Sequence, residues 1–133
     1  MPRDAADTYG TVQKNGTATF LARVVDATDT PIQPASIAAV RCDVYLLDDQ
    51  DPDSRLPVDG HDGVTLVVSQ VVLDRLRTDS LWTADTLGYN FRHELDVRAQ
   101  QAFPVAGRHY LVEYTLTPVL GQVIKVRFRA YAI

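Results

Sequence analysis

Apolar and polar residues alternate with a period of two along most of the chain, which is the spacing of a strand with one buried face. The alternation is clearest in residues 110–117 and 124–131, which a short loop with proline and glycine joins. Such a pattern predicts an antiparallel hairpin. If Leu116 faces Ile124, the opposed pairs are Glu113–Arg127, Thr115–Lys125 and Leu111–Arg129. A shift by two residues keeps the faces aligned and places Lys125 or Arg129 opposite Glu113 instead. One acid then meets one base, and two cations are left unneutralised by that strand.

Four further segments have strand patterns: residues 17–25, 37–47, 64–73 and 89–97. Asn15-Gly16 suits a type I′ turn, so residues 9–14 are predicted to form a hairpin with residues 17–25. The valine-rich run 64–73 is interpreted as one strand, because β-branched residues fit a pleated sheet better than a helix. Turn-forming residues dominate the intervening segments 26–31, 48–63 and 78–88.

These elements predict an all-β fold, an antiparallel two-sheet β-sandwich of about seven strands. Seven positions on the apolar faces are expected to be buried: Phe20, Val44, Phe91, Tyr110, Val112, Tyr114 and Phe128. A length of 133 residues suits a single domain. We expect a flexible arm over residues 1–8, whose arginine, aspartate and alanine cannot fill a core, and one sandwich domain over 9–133.

The composition and charge of the chain exclude several classes of protein. Hydrophobic residues make up 46% and charged residues 23%, as in ordinary globular proteins. A net charge of −4 argues against nucleic acid as a partner. No apolar run approaches the 18 residues of a membrane-spanning helix, and the first residues do not resemble a signal peptide. The single cysteine, Cys42, has no partner for an internal disulfide. We therefore expect a protein of the cytosol or of a particle assembled there.

Two segments resemble immunoglobulin-like domains of the bacterial and phage type. Residues 103–114 (FPVAGRHYLVEY) resemble the corner before strand F and that strand itself, with Tyr110 as the corner tyrosine. Residues 24–32 resemble the first inter-strand turn, although Asp29 stands where glycine is commoner. The cysteines that join two strands in many family members are absent. The resemblance implies an Ig-like sandwich, and a single domain of this kind is similar to virion proteins of tailed phages in capsid decoration, neck, tail or baseplate.

The clearest chemical feature is the acidic segment 48–53. Asp49, Asp51 and Asp53 have the spacing that opens an EF-hand-type calcium loop. Ser54 replaces the usual glycine at the sixth position, however, and Gly60 replaces the glutamate at the twelfth. The alternative is a solvated turn, which these residues also favour.

Other side chains give no catalytic pattern. The three histidines share no metal-ligand spacing, and His93 is expected to be a hydrogen-bonded histidine on an apolar face. Cys42 alternates with valines as a small buried residue does. No serine lies in a nucleophile motif. Trp82 either closes one end of the sandwich or is exposed for a sugar. The sequence therefore predicts no enzyme and no cofactor.

We expect a structural assembly protein whose partners are copies of itself or other subunits. The basic stripe Lys125, Arg127 and Arg129 is the candidate contact, and the acidic segment with Asp49, Asp51 and Asp53 is its candidate counterpart on the next subunit. The alternative interpretation of the stripe is a guard against edge-to-edge aggregation. The alternative function is a ligand-binding module for carbohydrate or calcium that uses loops 48–63 and 78–88.

Overall fold

The computed structural model describes residues 8–12, 18–25, 30–48, 50–51, 54–80, 82, 86–95 and 101–133. Nine strands are found in this part of the chain. They are β1 (Thr8–Val12), β2 (Thr19–Ala22), β3 (Ile37–Leu47), β4 (Arg55–Pro57), β5 (Val64–Leu66), β6 (Val72–Arg77), β7 (Tyr89–Glu94), β8 (His109–Pro118) and β9 (Ile124–Ala132). One helical turn, α1 (Val68–Val71), precedes β6, and a 3₁₀ turn (Pro34–Ser36) precedes β3.

The strands form two sheets, which confirms the predicted all-β sandwich. The first sheet has the order β1-β9-β8-β3-β4, and the second has the order β2-β7-β6. Strand β5 also pairs with β3, through Val40–Cys42, whereas β4 pairs with Tyr45–Leu47. The expectation of an antiparallel fold fails at one pair, since β1 is parallel to β9. The described strands also number nine rather than about seven, because the structure contains short strands that sequence periodicity did not separate.

The terminal hairpin has the predicted register. Leu116 lies opposite Ile124, and Glu113 lies opposite Arg127. A shift by one residue would turn the apolar face of both strands toward water, but a shift by two keeps the faces aligned. The alternation therefore excludes odd shifts, and the structure selects this set of pairs.

All seven positions predicted to be buried are buried. Aromatic side chains from both sheets meet at the centre of this core. The Tyr114 ring lies edge-on to Phe91 from the second sheet, with 4.7 Å between ring centroids, and Phe20 lies 4.9 Å from Phe128. Edge-to-face aromatic pairs stabilise a core beyond the area that they bury. The two sheets are therefore held together by large side chains on predictable faces.

The predicted hairpin between residues 9–14 and 17–25 is wrong. Strand β1 pairs with β9 in the first sheet, whereas β2 pairs with β7 in the second. Asn15-Gly16 lies outside the described residues. The two segments thus belong to different sheets, because each finds its partner in a strand distant in sequence, and no local turn signal encodes that choice. Of the predicted arm 1–8, only Thr8 is described, as the first residue of β1.

The interpretation of 64–73 as one strand is also wrong. Val64–Leu66 pairs with β3 of the first sheet, Val68–Val71 forms the helical turn α1, and Val72 begins β6 in the second sheet. The run therefore carries the chain from one sheet to the other. A continuous apolar run has no periodicity that could distinguish one long strand from two short strands joined by a helical turn.

Two polar side chains fix the connections around the core. The backbone N–H of Val105 donates to the Tyr110 hydroxyl over 2.9 Å, so Tyr110 anchors the chain as it enters β8. The side chain of Asn90, which is fully buried, bonds to the backbone of Val24 where the chain leaves β2. Each bond satisfies a backbone group that the strand ladders do not reach.

Candidate functional site

A cluster of charged side chains covers the outer face of the first sheet, with Glu113 at its centre. Glu113 is buried, at 4% exposure. Arg127 Nε donates to its carboxylate over 2.8 Å, Lys125 Nζ lies 3.4 Å away and Arg55 lies 3.8 Å away. Burial alone would raise the pKa of Glu113, but the Arg127 hydrogen bond and the three positive charges outweigh it and lower the pKa. The carboxylate therefore stays ionised inside a cage of cations.

This cage corrects one part of the sequence interpretation. Two cations of the stripe were expected to be left unneutralised by strand β8. Lys125, however, reaches diagonally to Glu113 and also donates to Thr115 Oγ1 over 2.8 Å. Its long, flexible side chain is not confined to the residue directly opposite. Lys125 and Arg127 are consequently engaged within their own sheet, and Arg129, on the same face, is half-buried.

A second buried carboxylate, Asp43, lies directly across the strand pair from Glu113. It accepts hydrogen bonds from Arg41 Nε over 3.1 Å and from the backbone N–H of Gly63 over 2.6 Å. The guanidinium of Arg55 stacks on the Tyr45 ring at 4.7 Å. These contacts compensate the burial of two acids on adjacent strands. Both buried acids of the outer face are thus paired with cations, and the cations outnumber the acids.

Of the predicted acidic counterpart, the structure describes only part. Asp51 is exposed, and its carbonyl accepts from Ser54 N–H over 2.9 Å; Asp49 and Asp53 lie outside the described residues. Asp48 Oδ1 accepts from the N–H of Gln50, as in an Asx turn. Among the described residues no group of three or more histidine, cysteine, aspartate or glutamate side chains is placed to hold a metal ion. The contact between this segment and the basic stripe remains a prediction.

Trp82 is half-buried, and its ring lies 5.7 Å from the ring of Tyr89. Tyr89 in turn donates from its hydroxyl to Asp79 over 2.6 Å. The indole therefore packs on the end of the sandwich while part of it remains accessible.

A line of polar atoms crosses the core from Cys42 through Tyr114 to His93. The Tyr114 hydroxyl and His93 Nδ1 share a hydrogen bond of 2.7 Å, so His93 is a hydrogen-bonded histidine, as expected. Burial and, to a smaller extent, His61 lower the pKa of His93 to about 4. Burial also raises the pKa of the Cys42 thiol to about 12. Neutral imidazole and protonated thiol are the states that a buried, hydrogen-bonded line requires.

Three exposed apolar side chains lie on the loop between β8 and β9, which the sequence pattern indicated only as a hairpin connection. Leu120 is 89% exposed, and Val119 and Val123 are exposed beside it. We call residues 119–123 the hairpin tip. Val119 N–H donates to Ser36 O over 2.9 Å, and Gly121 turns the chain at a φ of +108°. The tip is an apolar projection on an anchored backbone, and Val119-Leu120 within a loop was its signal in the sequence.

An apolar groove of about 420 Å³ lies at the opposite end of the sandwich. Its lining includes Leu46, Leu56, Pro57, Val58, Pro104 and Tyr110, together with Asp59 and Gln101. Leu56, on the short strand β4, is 63% exposed. The sequence carried no signal for this groove, because its walls come from four separate segments.

Comparison with known proteins gives no assignment: no family model, curated protein or solved structure matches the chain. In the described part of the chain no helix is long and apolar enough to cross a membrane.

Proposed function

We propose that this protein is a non-enzymatic structural module that docks on protein subunits, copies of itself included. The proposal includes the role that its resemblance to Ig-like virion domains of tailed phages implies, as a component of the capsid decoration, neck, tail or baseplate. We propose that it contacts its partners mainly through the hairpin tip.

The strand arrangement supports the resemblance. In Ig domains one sheet contains strands C, F and G, and the other contains B, E and D. Here β3, β8 and β9 are neighbours in one sheet, and β2, β7 and β6 are neighbours in the other, in the matching chain order. The Tyr110 hydroxyl bonds back to Val105, five residues upstream, as a corner tyrosine does.

The observation that carries the proposal is the exposure of Leu120. The Leu120 side chain is 89% exposed on an ordered backbone, so covering it with a partner would lower the free energy of the complex. Val119 and Val123 extend the apolar surface on the same loop, and such contiguous patches mark interaction sites. Because the Ser36 contact already orders the tip, less conformational entropy is lost on docking.

The charged stripe has a different part in the proposal. Lys125 and Arg127 hold Glu113, so their first role is within the sheet. Arg129 and the acidic segment with Asp51 are proposed to set register and association rate rather than bulk affinity.

Light scattering after size exclusion, over a range of protein concentrations with and without calcium, tests the proposal. We expect the mass to rise above the 14.7 kDa of the monomer with concentration, in the same way with and without calcium. A protein that stays monomeric at every concentration and binds calcium or a saccharide saturably would contradict the proposal and favour the ligand-binding alternative.

A further inference from the structure

On the basis of the assembly function above, we propose that the hairpin tip of one copy inserts into the apolar groove of a second copy, so that subunits join head to tail. The tip supplies Leu120 and Val119, and the groove receives them between strand β4 and the segment at Pro104.

The distance between the tip and the groove within one chain requires that a tip in the groove come from another molecule. Strand β8 runs from the groove to the tip. Tyr110, which lines the groove, is its second residue, and Pro118 is its last. Eight residues of extended strand separate these positions by about 27 Å. Leu46 and Ile37, which lie at opposite ends of the neighbouring strand β3, face Tyr110 and Pro118 respectively. The tip and groove of one chain therefore cannot meet.

Size and chemistry match. A groove of about 420 Å³ has room for two aliphatic side chains, and most of its lining residues are apolar. Leu56 in its wall is 63% exposed, so both surfaces are apolar and open to water in the single chain. One contact between copies would cover both at once.

Charge permits the same contact. Asp59 lines the groove, and Asp48 and Asp51 lie on the connection just before β4. Residues 118–126 contain no acidic residue, and Lys125 is their only charged residue. Arg55 of β4 and Arg108, which donates to Leu47 O, lie at the same end, and a tip without negative charge meets no like-charge repulsion from the three aspartates of the next copy.

Such an interface is heterologous, because two different surfaces of the same chain meet. If the rotation between neighbours closes, the copies form a ring, and if it does not, they form a filament. Either product suits a module that works by assembly.

Three single substitutions of exposed leucines test the contact. Leu120→Asp places a charge on the tip, and Leu56→Asp places a charge on the groove wall. Leu87→Asp is the matched control, because Leu87 is 61% exposed and belongs to neither surface. Circular dichroism and urea denaturation establish that each variant folds. We expect the tip and groove variants each to weaken association at least tenfold, and the control to associate like the parent.

Mixing gives the decisive measurement. The Leu120→Asp chain keeps its groove and the Leu56→Asp chain keeps its tip, so an equimolar mixture should form a dimer of twice the 14.7 kDa monomer mass and nothing larger. Two monomeric variants that give no dimer on mixing would overturn the head-to-tail contact.

The remaining outcomes separate this contact from the assembly function. If the parent associates and both variants associate equally well, assembly stands but the contact is elsewhere. If the parent never associates, the assembly function fails as well. Sedimentation of the parent, but not of Leu120→Asp, with phosphatidylcholine–phosphatidylglycerol vesicles would assign the tip to lipid and overturn the contact.

Discussion

The side-chain amide of Asn90 pairs with the backbone of Val24 as a neighbouring strand would. Its Oδ1 accepts from Val24 N–H over 2.7 Å, and its Nδ2 donates to Val24 O over 2.9 Å. Strand β2 ends at Ala22, so the amide satisfies backbone groups just beyond the reach of the ladder. One buried side chain thereby holds the chain where it leaves the second sheet.

Replacing this amide should be costly. Asn90→Ala leaves the buried N–H of Val24 without its acceptor, whereas Val24 O keeps the N–H of Ile32, and we expect a loss of about 1–3 kcal/mol in the free energy of unfolding. Urea denaturation followed by tryptophan fluorescence measures it. Gln70→Ala, which removes an exposed amide, is the control and should change stability by less than about 0.5 kcal/mol. Equal stability of the two variants would show that the Asn90 bonds contribute little.

The corner hydroxyl makes a smaller contribution. Tyr110→Phe keeps the buried ring but leaves the N–H of Val105 without its acceptor, so we expect a loss of about 1–2 kcal/mol. Tyr131→Phe serves as the control, since Tyr131 is 39% exposed and its ring lies at a tilted angle 4.8 Å from the ring of His109. Thermal unfolding of both variants beside the parent tests this prediction, which a Tyr110→Phe protein as stable as the parent would contradict.

Acid should destabilise the fold in two steps. The pKa of His93 falls from 6.5 to about 4 on folding, so the unfolded chain binds more protons between these values and stability decreases as pH falls through this window. We expect about 2 kcal/mol, which allows for partial exposure of the ring. The lowered pKa of Glu113 adds a second loss as pH falls below 4.5.

Urea titrations from pH 7.5 to pH 3 separate the two steps. The variant His93→Leu should lose the dependence between pH 6.5 and 4 and keep the one below 4.5. An unchanged slope between pH 6.5 and 4 in this variant would rule out His93 as its source.

Charge reversal should affect the two arginines of the stripe differently. Arg127→Glu places a carboxylate beside the buried Glu113, so we expect a loss of about 3 kcal/mol or more. Arg75→Glu, at an exposed arginine of β6, is the control for charge alone. If Arg127→Glu is as stable as Arg75→Glu, the cage around Glu113 does not stabilise the fold.

The role of the stripe in assembly is tested at Arg129. The variant Arg129→Glu leaves Arg127 and Lys125 on Glu113, and we expect it to fold and to associate more slowly at low salt than the parent. Stopped-flow light scattering at two salt concentrations measures this rate. Equal rates under both conditions would exclude Arg129 from the contact.

The sequence by itself determined which large apolar side chains of the alternating strands face the core. Strand β3 has its predicted bounds, and the large residues of the core lie on the predicted faces. These features follow locally, because a strand with one buried face admits one orientation, and a shift by one residue would expose its apolar side chains.

Tertiary structure alone decided which strands are neighbours. Strand β1 pairs with β9, more than a hundred residues away, and the run 64–73 divides between two sheets, since pairing across long distances depends on which edges remain open in the folded molecule. The reach of Lys125 to Glu113 and the groove beside Leu56 have the same origin. Each brings together side chains from separate segments, and no period along the chain records that meeting.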